Sequence, residues 1–140
     1  MNFLSKKEND LSNKFISNGY TIINVENKKS LNYIYKTILK ATKNYLKTKK
    51  KIDLNYIHKI ISVDDLNDFR LKIINSISDD KLARYHYFNL ARESIYSLVG
   101  NELMMQKSIN LSIQFPNDNN SLLPIHSDVW SGDSPYEINL

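Results

Sequence analysis

Toward the end of the 140-residue chain an imidazole and a carboxylate stand two positions apart, His126 and Asp128 in the tripeptide His126-Ser127-Asp128. Successive residues of a strand face opposite sides, so in a strand these two side chains project together while Ser127 turns away. Neutral imidazole plus carboxylate at that spacing fills two corners of the two-histidine, one-carboxylate facial arrangement, which leaves open positions on ferrous iron. The tripeptide alone is weak evidence. With three histidines and ten aspartates in the chain, chance supplies about 0.2 such elements, so the surrounding sequence has to carry the reading against a plain polar turn.

The elements that would position this pair begin at about residue 107. Ile109, Leu111, Ile113 and Phe115 alternate with Ser108, Asn110, Ser112 and Gln114, the period of two that marks a half-buried strand. Pro116 ends it. Residues 117–124 read as a polar loop, 125–129 as a short strand holding the tripeptide, 131–135 as a turn and 136–140 as the start of another strand. Strand, loop, His-x-Asp, Trp130, turn and strand follow one another as the opening of a jelly roll would.

Upstream, residues 1–106 read as mainly helical. Ser5 and Glu8 form a capping box ahead of Leu11, Phe15 and Ile16, which predicts a helix to about Asn18 stopped by Gly19. The β-branched run Tyr20-Thr21-Ile22-Ile23-Asn24-Val25 predicts a strand. Residues 27–30 open a second helix whose Leu31, Ile34, Tyr35, Ile38, Leu39, Thr42 and Leu46 share a face. Asp53 caps a short helix through Ile61, and Asp64 or Asp65 caps another through about Ser78, with Leu66, Phe69, Ile73, Ile74 and Ile77 apolar. Asp79 and Asp80 precede a longer helix carrying Tyr85, Phe88, Ala91, Ile95, Leu98 and Val99, with Gly100 as its stop. The expected fold class is α+β in one domain, residues 1–140.

Composition narrows the chemistry further. There is no cysteine, so disulfides and thiolate metal sites are excluded and a metal must be held by histidine and oxygen ligands. No stretch contains the roughly eighteen consecutive apolar residues of a membrane span, and the N-terminus lacks a signal-peptide pattern, so a cytoplasmic protein without a membrane partner is expected. The net charge is +4, with the basic excess most visible at Lys47 to Lys51, KTKKK. That run reads as a solvated helix end, and nucleic acid is not expected as a partner.

Residues 109–140, INLSIQFPNDNNSLLPIHSDVWSGDSPYEINL, resemble the start of the double-stranded β-helix of phytanoyl-CoA-dioxygenase-like oxygenases, and more closely that of the oxygenases found sporadically in bacterial surface-carbohydrate clusters. Phe15-Ile16-Ser17-Asn18-Gly19-Tyr20, followed by an apolar stretch and a helix, is similar to the N-terminal pattern of the same group. The resemblance implies a non-haem iron centre in which His126 and Asp128 are the proximal histidine and the carboxylate. It implies Fe(II) and 2-oxoglutarate as cofactors, hydroxylation of a small molecule as the reaction, and a carbohydrate or sugar nucleotide as the substrate class. Gln114 and Asn139 fall where relatives place groups that reach the co-substrate or substrate, although an exposed strand amide explains each equally well. Trp130 reads as a packing residue beside the site.

The resemblance also exposes a gap. Relatives carry a distal histidine and then a basic residue on a later strand, and neither follows Asp128 here. By chain order His58 and His86 cannot be that histidine; each reads as a packed or half-exposed imidazole, and Arg70, Arg84 and Arg92 as surface residues. The expectation is therefore helices packed on the first strands of an incomplete jelly roll. Such a chain is truncated, inactive by itself and open to complementation by a missing C-terminal half. Two alternatives stand beside it. One is a helical binding or scaffold module with a basic patch and no metal site; the other is a single-domain metal hydrolase on His126 and Asp128, for which no His-Glu-x-x-His or nucleophile elbow is present.

Overall fold

Ser5 and Gly19 bracket the first helix as their chemistry requires. In the computed structural model, which describes residues 4–107 and 109–116, helix α1 (Lys6–Asn18) starts with a complete capping box. The Glu8 amide donates to Ser5 Oγ at 3.2 Å and the Ser5 amide to Glu8 Oε2 at 2.7 Å, so two orphan N–H groups are satisfied reciprocally. Gly19, at φ 75°, closes the helix with its amide on the Phe15 carbonyl, a left-handed position that glycine takes without steric cost.

Helix α2 (Lys28–Tyr45) is capped by Asn27, whose Oδ1 accepts the Ser30 amide at 3.0 Å. Its far end is a Schellman turn: the Lys47 amide donates to Asn44 O at 3.2 Å and the Thr48 amide to Lys43 O at 3.1 Å. Lys47 occupies the left-handed position there, at φ 49°, where an L side chain costs about 1 kcal/mol or more. Lys47→Gly is expected to raise the urea midpoint by an amount worth about 0.5 kcal/mol, the relief of strain being partly offset by the greater freedom of unfolded glycine. An unchanged or lowered midpoint would show that the turn is not strained.

A 3₁₀ helix (Leu54–Lys59), begun by Asp53 accepting the Asn55 amide at 3.0 Å, leads to α3 (Leu66–Asp79). Then come α4 (Ala83–Phe88) and α5 (Arg92–Val99). Helix α2 packs against α3 and α4, while α1 lies on α5. The central core joins Ala41 of α2, Ile61, the α3 line Phe69, Ile73 and Ile77, Ala83 of α4, and Ile109. The spacing of four between Phe69, Ile73 and Ile77 places all three on one side of α3, and each is buried.

Three expectations are corrected. First, the fold class is not α+β: helix is the only regular secondary structure among the described residues, so no sheet of an incipient jelly roll stands under the helices there. Residues 20–25 connect α1 to α2 without forming a strand, and Ile22 is 88% exposed. Their β-branched composition is a preference for a pleated surface that needs a partner strand, and none is offered. Second, residues 109–115 form no strand and have no strand partner among the described residues, yet Ile109, Leu111, Ile113 and Phe115 turn toward the helical core while Asn110, Ser112 and Gln114 are exposed. The alternation is real; what it packs on is helix. Third, the long helix expected after Asp80 is two. Asn89 donates its side-chain amide to Tyr85 O at 2.6 Å, a side-chain bond to the helix's own backbone that competes with continuation, and Ala91 at φ −129° breaks the path.

Candidate functional site

His126, Asp128, Trp130 and Asn139 lie outside the described residues. Gln114 lies inside them, exposed between Ile113 and Phe115, which pack on the core; it therefore sits on the solvent side of its segment. Among the described residues no three His, Cys, Asp or Glu side chains converge on a point that could hold a metal ion.

What the helices bring together is a polar group between α2 and the α3–α4 corner. Ser30, Tyr33 and Thr37 fall on one line of α2, at spacings of three and four. Ser30 Oγ lies 3.0 Å from His86 Nδ1 on α4, and the Tyr33 ring stacks on the His86 imidazole with centroids 4.0 Å apart and planes 23° from parallel. The Tyr33 hydroxyl donates to the Asp80 carboxylate at 2.9 Å, and Thr37 Oγ1 donates to Asp80 Oδ2 at 3.2 Å. Asp80 also accepts the Leu82 amide at 3.0 Å, which starts the turn into α4. Partial burial pushes the Asp80 carboxyl up, but the bonds from Leu82, Tyr33, Thr37 and Ala83 together outweigh it and hold the group below its ordinary value. The same hydrogen bond, with burial next, raises the Tyr33 phenol.

The serine–histidine contact has the length of a nucleophile–base pair, but two facts deny it that role. Ser30 is only 2% exposed, so no substrate reaches its hydroxyl. Asp80 bonds to Tyr33 and not to His86, so no carboxylate orients the imidazole as a catalytic triad requires. The cluster is a brace between helices. Its signal in the sequence is the polar line Ser30, Tyr33, Thr37 along α2, but its partners lie 43 to 56 positions away, beyond the reach of local pattern.

His86 is thus a packed imidazole, as its flanking tyrosines suggest, and His58 sits in the 3₁₀ helix beside Tyr56 and Lys59. Arg84 and Arg92 are exposed, Arg84 donating to Met105 O at 2.9 Å and Arg92 pairing with Glu93 at 2.8 Å. Arg70 differs from the surface role expected of it. It is half-buried, with Nε unpartnered and a terminal nitrogen on Asn67 Oδ1 at 3.1 Å.

Two concavities flank α1 and α5. One, of about 70 Å³, lies between residues 23–27 and 89–94, room for water but well below the roughly 300 Å³ of a small-molecule site. The other is an open groove of about 440 Å³ along α1, floored by Leu11, Ile22 and Ile23 and edged by Lys6, Lys14 and Glu26. No helix among the described residues is long and apolar enough to cross a membrane. Compared with protein-family models, with curated proteins and with solved structures, the chain gives no match.

Proposed function

We propose that this chain carries the proximal histidine and the carboxylate of a non-haem Fe(II)- and 2-oxoglutarate-dependent dioxygenase, His126 and Asp128, acting on a small molecule of carbohydrate or sugar-nucleotide type. One observation carries the reading: the His126-Ser127-Asp128 tripeptide within the block LPIHSDVWSGDSPYE, whose resemblance to that family is longer than the metal ligands alone. The donor chemistry fits, because an imidazole and a carboxylate suit ferrous iron and leave sites for a bidentate co-substrate. When bound, that iron would supply the oxidation of an unactivated C–H bond coupled to decarboxylation of 2-oxoglutarate. The chain's own part is to hold the metal at His126 and Asp128, and Asn139 is proposed to reach the co-substrate or substrate; the solvent-facing position of Gln114 does not support that role for it.

His86 is engaged by Ser30 and Tyr33, and no histidine follows His126. The distal histidine that the resemblance implies is thus not among the residues after His126, and the chain by itself is expected to turn over no 2-oxoglutarate. The test is cobalt(II) binding, followed by its visible absorption and by calorimetry. Asp128→Ala and His126→Ala should each weaken binding about tenfold or more, while His58→Ala leaves it within about twofold. Equal affinity in all variants would remove the metal reading. Succinate formation by the purified chain with ferrous iron and ascorbate, faster than free iron achieves, would overturn the expected inactivity.

A further inference from the structure

The chain's positive charge is not spread over it. Between Asn27 and Ile52 there are nine lysines and no aspartate or glutamate, whereas the whole chain has a net charge of +4. The other 114 residues therefore carry a net −5, from ten basic and fifteen acidic groups. In the sequence only Lys47 to Lys51 looks like a cluster. The structure adds the rest, because Lys28–Tyr45 is one uninterrupted helix. At 100° per residue, Lys29, Lys36, Lys40 and Lys43 fall within an arc of about 60°, and they span about 21 Å along the axis. Lys29, Lys36 and Lys40 are exposed and Lys43 half-exposed. Ser30, Ala41 and Thr42, the buried residues of α2, lie off that line. Lys47, Lys49, Lys50 and Lys51, all exposed, continue the charge past the end of the helix. None of these lysines is ion-paired among the described residues: the pairs there are Lys7 with Glu26 and Arg92 with Glu93.

We infer that the lysine line of α2 and the loop after it form a docking surface for the phosphodiester backbone of nucleic acid, read without regard to base sequence. An unneutralised row of like charges is held against its own repulsion, and an anion with regularly spaced charges relieves it by releasing condensed counterions. The charges form a narrow row, which matches a linear polyanion better than the plane of a membrane. The most exposed large apolar side chains, Ile16, Ile22 and Met104, are on α1 and in loops, and the exposed apolar residues of α2, Leu31 and Tyr35, lie about 80° or more around the helix from the lysine line, so the row itself carries no insertion anchor of the kind an interfacial helix uses. Lysine alone, with no arginine from residue 27 to 52, supplies hydrated point charges on flexible stems in place of arginine's rigid planar fork, which suits phosphate contact more than base-edge recognition. Contact with backbone rather than sequence follows.

The experiment is fluorescence anisotropy of the full chain with a labelled 20-base-pair duplex of arbitrary sequence, across a salt series. Dissociation constants of about 10⁻⁴ to 10⁻⁶ M near physiological salt are expected, with a logarithmic salt slope of about −4 for four to five neutralised phosphates. Changing Lys29, Lys36, Lys40 and Lys43 together to glutamine should weaken binding about tenfold or more and flatten the slope by about 3. Removing four exposed lysines elsewhere, with Lys6→Gln, Lys14→Gln, Lys59→Gln and Lys72→Gln, should leave the affinity within about threefold. Circular dichroism on both variants confirms that helix content is kept. Equal loss in the two variants would show net charge rather than a docking surface and sink the proposal. So would tighter binding to phosphatidylserine vesicles, or to an acidic polypeptide, than to the duplex under the same salt.

Discussion

Phe69→Ala is expected to destabilise the protein by about 3–5 kcal/mol, a large share of the roughly 5–15 kcal/mol that holds a domain of this size together. Phe69 is 2% exposed, meets Tyr45 of α2 edge to face with centroids 5.1 Å apart, and sits in the same line of α3 as Ile73 and Ile77. Truncation removes the ring from the α2–α3 seam and leaves a void that rigid helices on both sides cannot close. Urea denaturation followed by circular dichroism measures the loss. Ile73→Val at a fully buried neighbour should cost only about 0.5–1.5 kcal/mol, and the ratio between the two variants reports packing rather than helix propensity. A loss below about 1 kcal/mol for Phe69→Ala would mean that α3 does not pack on α2 as described.

Asp80→Ala should cost about 2–3 kcal/mol, because it strips the acceptor from the Tyr33 hydroxyl, the Thr37 hydroxyl and the Leu82 amide at once. The effect has a pH signature. The folded-state carboxyl titrates below its ordinary value, its hydrogen bonds outweighing the opposing effect of burial. The stabilisation is thus fully present above the unfolded-state value of about 3.9 and disappears as pH falls through the depressed folded-state value. Wild type and Asp80→Asn should therefore differ in stability at neutral pH and converge in strong acid. A gap that persists unchanged at the lowest pH where the protein still folds would assign the loss to shape and not to charge.

How much of this was legible depends on the range of the interaction. The start and stop of α1 were readable because Ser5, Glu8 and Gly19 act on their own neighbours, and the core line of α3 because a helix displays its period locally; the face of α2 was readable in part, since Ile34, Ile38 and Leu46 pack on the core and Thr42 is buried, whereas Leu31 and Tyr35 are exposed and Ser30 and Ala41, outside the expected face, are buried. Residues 20–25 misled because β-branched side chains announce a strand only where another strand accepts its hydrogen bonds. Residues 109–115 were half legible: the inward set Ile109, Leu111, Ile113 and Phe115 was correct, but the segment forms no strand and packs on helix, since period two reports which side is buried and is silent on what buries it; the expected strands 125–129 and 136–140 lie outside the described residues. Asn89 broke an expected helix through a bond to the backbone four residues back, which apolar periodicity does not record. Of the expected site residues only Gln114 falls within the described residues, and the Ser30, Tyr33, Thr37, Asp80 and His86 brace was invisible because it is assembled by tertiary contact.

The helices are also unequally anchored. None of the residues of α1 is buried, whereas α3 buries Phe69, Ile73 and Ile77. Its attachment to α5 is a shallow one, so a fluctuation that lifts it needs far less free energy than one that parts α2 from α3. Amide protons of α1 can trade with solvent while Phe69, Ile73 and Ile77 stay in place, and the chain loosens from its beginning long before it unfolds.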